Sequence, residues 1–221
     1  MQQPSSPLAR LGTRVGRAGI VLRAAPVDVV TDALGDLPDV EAGLVRQAGP
    51  ARRAQFAVGR RLARAALAAS GSDVVALGAD HLGAPRWPAG RVGSISHLPD
   101  LAVAVVARAA DHRGVGVDVA PAAPLPPEEA AVLLGDDEQR AVVAVAGGVG
   151  PTVAFAVKEA TYKAVHPTLR TPVGYRDVTV SLGADHGFTA TVRVPGGVPP
   201  TRVTGWWEVA GPHVAAVAVL G

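Results

Sequence analysis

From Val178 to the C-terminus the chain offers four strand-like segments, Val178–Leu182, Phe188–Val194, Val203–Val209 and Val214–Leu220, parted by Gly and Pro clusters. Short apolar alternations with turn residues between them read as an antiparallel meander. The segment before them, Thr152 to about His166, has helical periodicity, and Pro167 predicts its end. The first half repeats the combination. A helix rich in Ala and Arg is expected from Ala51 to Ser70, closed by Gly71, with shorter helical segments at 27–35 and 38–48. Gly78–Gly93 is punctuated as loop, Leu101–Arg108 reads as a buried strand, and Val115–Val119 alternates as another. Between the halves, a proline-rich stretch precedes helical segments Glu128–Leu134 and Glu138–Ala146. Each half thus pairs a helix with strands, an α+β fold of α/β-type lobes, although no internal repeat proves duplication.

The 221 residues suffice for one large domain or two small lobes. With no cysteine, any metal here takes oxygen or imidazole ligands. The longest apolar runs are far too short to span a bilayer, and Gly19–Leu22 is too brief for a signal-peptide core, so a cytoplasmic protein is expected. Charge is unevenly placed: residues 1–110 carry 13 arginines against 8 acids, and residues 111–221 carry 8 basic residues against 11 acids. The balance points to an anion-binding first half and a cation-tolerant second half. Against 19 arginines there are only two lysines, Lys158 and Lys163, both within Lys-Glu-Ala-Thr-Tyr-Lys. Their survival indicates that a compact, adjustable ammonium is wanted there.

Three groups of residues carry candidate chemistry. Asp118 lies near the end of the Val115–Val119 strand, where a carboxylate among small residues must be solvated, paired or metal-bound. Glu159 and Lys163 stand four apart on one helical face, either a surface ion pair or part of a site. Arg52, Phe56, Arg60 and Arg64 recur every four residues, a stripe suited to polyphosphate or simply a solvated basic face. Ser94-Ile95-Ser96-His97 adds hydroxyls and an imidazole before the Leu101–Arg108 strand. No P-loop or strand-linked GxGxxG is present. Aromatics at 4% and a net charge of +2 argue against nucleic acid.

In this order the segments resemble the 4′-phosphopantetheinyl transferases of the Sfp/EntD type over nearly the full chain. Arg52-Arg53-x-x-Phe56-x-x-x-Arg60 is similar to the family's arginine helix, and Gly83-x-Pro85-x-Trp87-Pro88-x-Gly90 leading into Ser96-His97 to its central loop. Gly114-Val115-Gly116-Val117-Asp118 is similar to the metal strand, and Phe155-Ala156-Val157-Lys158-Glu159-Ala160-Thr161-Tyr162-Lys163 to the signature helix. The resemblance implies a pseudo-symmetric monomer of two lobes, 1–110 and 111–221, each a helix on a small antiparallel sheet, with coenzyme A between them. It implies Mg²⁺ on Asp118 and Glu159. Arg52, Arg60, Ser96 and His97 would meet the nucleotide's phosphates, Lys158 the cofactor and Lys163 the diphosphate. The same resemblance implies that Asp118, Glu159 and Lys163 would form the catalytic set, with coenzyme A and an acyl or peptidyl carrier protein of fatty-acid, polyketide or nonribosomal-peptide synthesis as the expected partners. Nucleic acid and membrane are not expected partners.

Two positions depart from the family. Ala120 stands where an acid two residues after the metal aspartate is usual, so a water, a nearby group or a ligand phosphate must complete the shell. Leu82 stands where a basic residue often precedes Gly-x-Pro, with His81 and Arg86 as substitutes. Ala120 keeps a second reading open, a catalytically weak member that binds coenzyme A or a carrier protein.

Overall fold

A computed structural model describes residues 8–28, 35, 37–81, 83–169, 171–194 and 199–221. Most of the helical segment expected at 27–35, and Leu82, lie outside the described residues. The chain forms two compact units, one running to Asp111 and the other from His112.

In the first unit, α1 (Ala9–Gly16) leads to β1 (Val21–Pro26), α2 (Asp39–Val45), α3 (Pro50–Ala69), β2 (Arg91–His97) and β3 (Leu101–Arg108). The strands form an antiparallel sheet of order β1-β3-β2. α3 starts at Pro50, whose fixed φ suits a first helical position, and ends where Gly71 turns left-handed at φ +77°. Its stripe of Ala54, Val58, Leu62, Ala63, Ala66 and Leu67 packs on Ala102, Ala104 and Val106 of β3. Ser94–His97, expected as the approach to a strand, is itself strand β2, with Ser96 opposite Val103 and His97 opposite Ala102.

The second unit holds β4 (Gly114–Pro121), α4 (Pro127–Leu133), α5 (Asp136–Ala146) and α6 (Gly150–Leu169). A 3₁₀ turn at Tyr175–Asp177 then leads to β5 (Val178–Leu182), β6 (Gly187–Val192), β7 (Thr201–Ala210) and β8 (His213–Leu220). The expected meander is present, and β4 extends it to an antiparallel sheet of order β4-β8-β7-β6-β5. The fold is α+β, and each unit packs a 20-residue helix on an antiparallel sheet. With five strands, the second sheet is larger than expected. Pro167 does not end α6, which runs on to Leu169. Proline removes a single hydrogen bond, and in the final turn few remain to be lost. The stretch Asp136–Leu169 is long and apolar enough to cross a membrane. Within it α6 buries Val153, Ala156, Val157, Ala160, Ala164 and Val165 in the unit's core.

Candidate active site

The glycines of Gly-Val-Gly-Val-Asp decide how β4 meets α6. A Cβ on Gly114 would stand 2.1 Å from the carbonyl oxygen of Ala164, and one on Gly116 would stand 1.9 Å from that of Ala160. Only hydrogen fits there, so the helix backbone lies directly on the strand, with Ala156, Ala160 and Ala164 fully buried nearby. Asp118 shares the face of Gly116, two residues on. It is 7% exposed. Lys163 Nζ donates to Asp118 Oδ1 at 2.6 Å and to the Val117 carbonyl at 3.1 Å. The i,i+4 alternative of a Glu159–Lys163 pair is therefore not what forms: the lysine reaches across to the strand.

Glu159 has a different partner. The hydroxyl of Tyr175 donates to its Oε1 at 2.6 Å. Partial burial, the hydrogen bond to Glu159 and the charges of Glu159 and Asp118 all push the Tyr175 pKa up, to about 12. The hydroxyl is therefore a neutral donor at physiological pH. A pocket of about 190 Å³ opens beside this pair, lined in part by Tyr162, Val173 and Val178. The structure thus gathers Asp118 with Lys163 and Glu159 with Tyr175 around one strand–helix contact.

Two expected residues point elsewhere. Lys158 borders that pocket but is 1% exposed, and its three donors are taken up within the protein, by the Leu133 carbonyl at 2.8 Å, Glu138 Oε2 at 3.0 Å and the Tyr175 carbonyl at 3.0 Å. Burial lowers its pKa, opposed by the bond and charge of Glu138. Consecutive helix residues lie about 100° apart, so Glu159 and its neighbour face different surroundings. Arg60 is 2% exposed and donates to the carbonyls of Leu77 at 2.9 Å and Gly78 at 3.3 Å, its guanidinium 4.8 Å over the Phe56 ring. Burial lowers its pKa, with Glu41 opposing and Arg64 adding. Glu41, fully buried, pairs with Arg64 and accepts the Leu77 amide at 2.8 Å. The inner part of the arginine stripe is therefore a buried ionic clamp on residues 77–78.

The outer part behaves as expected of a surface site. Arg52 is exposed at the start of α3 and meets His97 Nε2 at the end of β2, with the guanidinium as donor. Ser96 is buried beside it in sequence at 7% exposure. Arg86 is exposed, and Trp87 lies against Gly93, where a Cβ would come within 2.7 Å of its ring. Sequence reasoning missed Tyr175, Glu138 and Glu41. Only Pro172 and Gly174 mark a turn before Tyr175, and Glu41 looks like an ordinary surface acid of a short helix.

Among the described residues no three of His, Asp and Glu gather as a metal cage. The carboxylates at hand are Glu159, bonded to Tyr175, and Asp118, near enough for its charge to act on that hydroxyl. That set fits Mg²⁺, which is held by one or two carboxylates together with water and substrate phosphates.

The family model for the 4′-phosphopantetheinyl transferase N-terminal domain matches residues 40–107, and that for the 4′-phosphopantetheinyl transferase superfamily matches residues 114–218. The chain belongs to the 4′-phosphopantetheinyl transferase superfamily and is an enzyme of that class. It is 34% identical to 4′-phosphopantetheinyl transferase Svp of Streptomyces mobaraensis, over 90% of this chain and 85% of that one. It is 32% identical to 4′-phosphopantetheinyl transferase Npt of Nocardia iowensis (77% and 83%), and 31% identical to 4′-phosphopantetheinyl transferase PptT of Mycobacterium tuberculosis (85% and 87%). Among solved structures, holo-[acyl-carrier-protein] synthase of Thermotoga maritima is 21% identical with a TM-score of 0.33, covering 48% of this chain and 62% of that chain. The resemblance carried by the four motifs is borne out.

Proposed function

We propose that this enzyme moves the 4′-phosphopantetheine of coenzyme A onto a serine of an acyl or peptidyl carrier protein, with Mg²⁺, releasing 3′,5′-ADP. The observation that carries the reading is the bond from Lys163 on α6 to the buried Asp118 on β4, with Glu159 one helical turn before that lysine. Asp118 and Glu159 would hold the cation, which when bound neutralises the diphosphate and favours in-line displacement. Phosphoryl transfer of this kind needs placement and charge compensation more than covalent help. The serine oxygen bonds to the phosphorus bearing the pantetheine arm, and the bond from that phosphorus to the ADP oxygen breaks. Glu159, directly or through water, takes the serine proton. Lys163 offsets the charge that passes to the leaving 3′,5′-ADP. Arg52, Ser96 and His97 are the residues of the first unit assigned to nucleotide phosphates, and Arg60 supports them from inside. On this reading residues 1–110 carry nucleotide binding and 111–221 carry the metal site. The enzyme acts as a cytoplasmic monomer on carriers of secondary metabolism, polyketide or nonribosomal-peptide.

Incubating the protein with coenzyme A, Mg²⁺ and an apo carrier protein, then weighing the carrier, tests this. One added phosphopantetheine per carrier, absent in excess chelator, is the expected result. Coenzyme A binding with an unchanged carrier mass would favour the second reading, a binding module, for which Ala120 is the motive.

A further inference from the structure

Tyr175 is held from several sides at once. Its carbonyl accepts from the buried ammonium of Lys158, which is tied to the Leu133 carbonyl and to Glu138. Glu138 in turn accepts the Val180 amide at 2.7 Å. The next residue, Arg176, donates through Nε to the Val132 carbonyl at 3.0 Å and through Nη2 to that of Ala131. Asp177 closes the turn by accepting the Gly174 amide at 2.8 Å. The ring stands 6.1 Å from Phe155. The turn is therefore pinned to the end of α4 directly and, through Lys158 and Glu138, to α5 and the middle of β5. The polar side-chain group it brings to Glu159 is the Tyr175 hydroxyl, which donates to Oε1.

The two carboxylates of the site are thus secured differently. Asp118 has a cation, Lys163, while Glu159 has a neutral donor that leaves its negative charge intact. With Ala120 in place of a third acid, the site depends more heavily on how Glu159 is aimed. We infer that Tyr175 is a positioning residue, whose hydroxyl fixes one oxygen of Glu159 so that the other is presented to the divalent cation. The inference rests on the proposed assignment of Glu159 as a metal ligand. Lys158, through its bond to the Tyr175 carbonyl, sets the turn from which Tyr175 acts. Groups that orient a metal-binding carboxylate from behind typically govern affinity by 10–100-fold.

The test uses the whole chain, with Mn²⁺ as the probe, followed by its paramagnetic resonance signal in the presence of coenzyme A and without carrier protein. Tyr175→Phe keeps the ring and removes the hydroxyl. It should weaken Mn²⁺ binding about tenfold with an unchanged thermal midpoint. Its turnover should fall at limiting Mg²⁺ and return at saturating Mg²⁺, a rescue that a merely structural residue would not show. Glu159→Gln in parallel tests the underlying assignment. If Glu159→Gln binds Mn²⁺ like the parent, that assignment is wrong and the inference goes with it. If Glu159→Gln loses Mn²⁺ while Tyr175→Phe keeps parental affinity, the positioning role alone is overturned. Tighter Mn²⁺ binding by Tyr175→Phe would also overturn it, since the hydroxyl would then be competing with the cation for Glu159.

Discussion

Gly116 and Ala160 touch backbone to backbone, so closely that a Cβ on the glycine would lie 1.9 Å from the alanine's carbonyl oxygen. The contact brings Asp118 within reach of Lys163, one helical turn beyond Ala160. Neither neighbour can yield cheaply, because one is a strand within a sheet and the other a core helix. Gly116→Ala should cost about 1–3 kcal/mol, the usual scale for overpacking, and should displace α6 enough to abolish turnover. Gly12→Ala on α1 is the control: nothing lies within 4 Å of its Cβ position, and Ala is the better helix former. Thermal unfolding and turnover of the two variants check this.

Asp118 and Glu159 should be equally necessary for activity and unequal for stability. Asp118 is buried and bonded to Lys163, so Asp118→Ala removes a charge-assisted hydrogen bond worth about 1.5–3 kcal/mol. Lys163 keeps 28% of its side chain exposed and can be hydrated once released. Glu159 loses only the bond from a partly exposed tyrosine, so Glu159→Ala should unfold nearly as the parent does. Both variants should lose turnover, and chelator should do the same to the parent. Full activity in excess chelator would remove the cation from the mechanism.

The arginines of α3 separate in the same manner. Arg52→Ala should raise the Michaelis constant for coenzyme A, less so for a ligand without the 3′-phosphate, and leave stability unchanged. The loss of one guanidinium–phosphate contact is on the order of 1–3 kcal/mol. Arg60→Ala should instead strand the buried carbonyls of Leu77 and Gly78 and lower the urea midpoint. Equal binding by Arg52→Ala and the parent would reduce Arg52 to a solvated charge.

The division within that helix shows what the sequence could and could not convey. Residues four apart advance about 40° around a helix, so from Arg52 to Arg64 the stripe turns by about 120°. Spacing alone made it one face, whereas the structure begins it in solvent at Arg52 and carries it inward to Glu41. Gly116, Asp118, Glu159 and Lys163 were legible because the close approach and the charges sit in two short motifs. Tyr175 was not, since its contact with Glu159 bridges 16 residues through a turn held by α4 and α5. The meander was readable from its turn residues; β1 and α1 went unread, although α1 buries Leu11 and Val15 at helical spacing.

Ala120 supplies the last prediction. It is 3% exposed, pairs with Val214 across the strands, and belongs to the apolar core that includes Leu133 and Val142. Being two residues from Asp118 on one strand, it projects to the same face. Glutamate there would bring a third carboxylate toward Asp118 and bury part of its charge, at a cost unless a cation compensates. Ala120→Glu should therefore lower the thermal midpoint in chelator and recover more of it on adding Mg²⁺ than the parent gains. A cation that binds only the folded chain stabilises it by an amount that grows with the logarithm of one plus the ratio of its concentration to its Kd, so the larger rise reports tighter binding in the absence of coenzyme A. Turnover is a poor readout for this variant, because tighter ground-state binding need not lower the barrier. If Mg²⁺ raises the midpoint of parent and variant equally, another group already fills the place that Ala120 leaves, and the two-carboxylate description of the site is wrong.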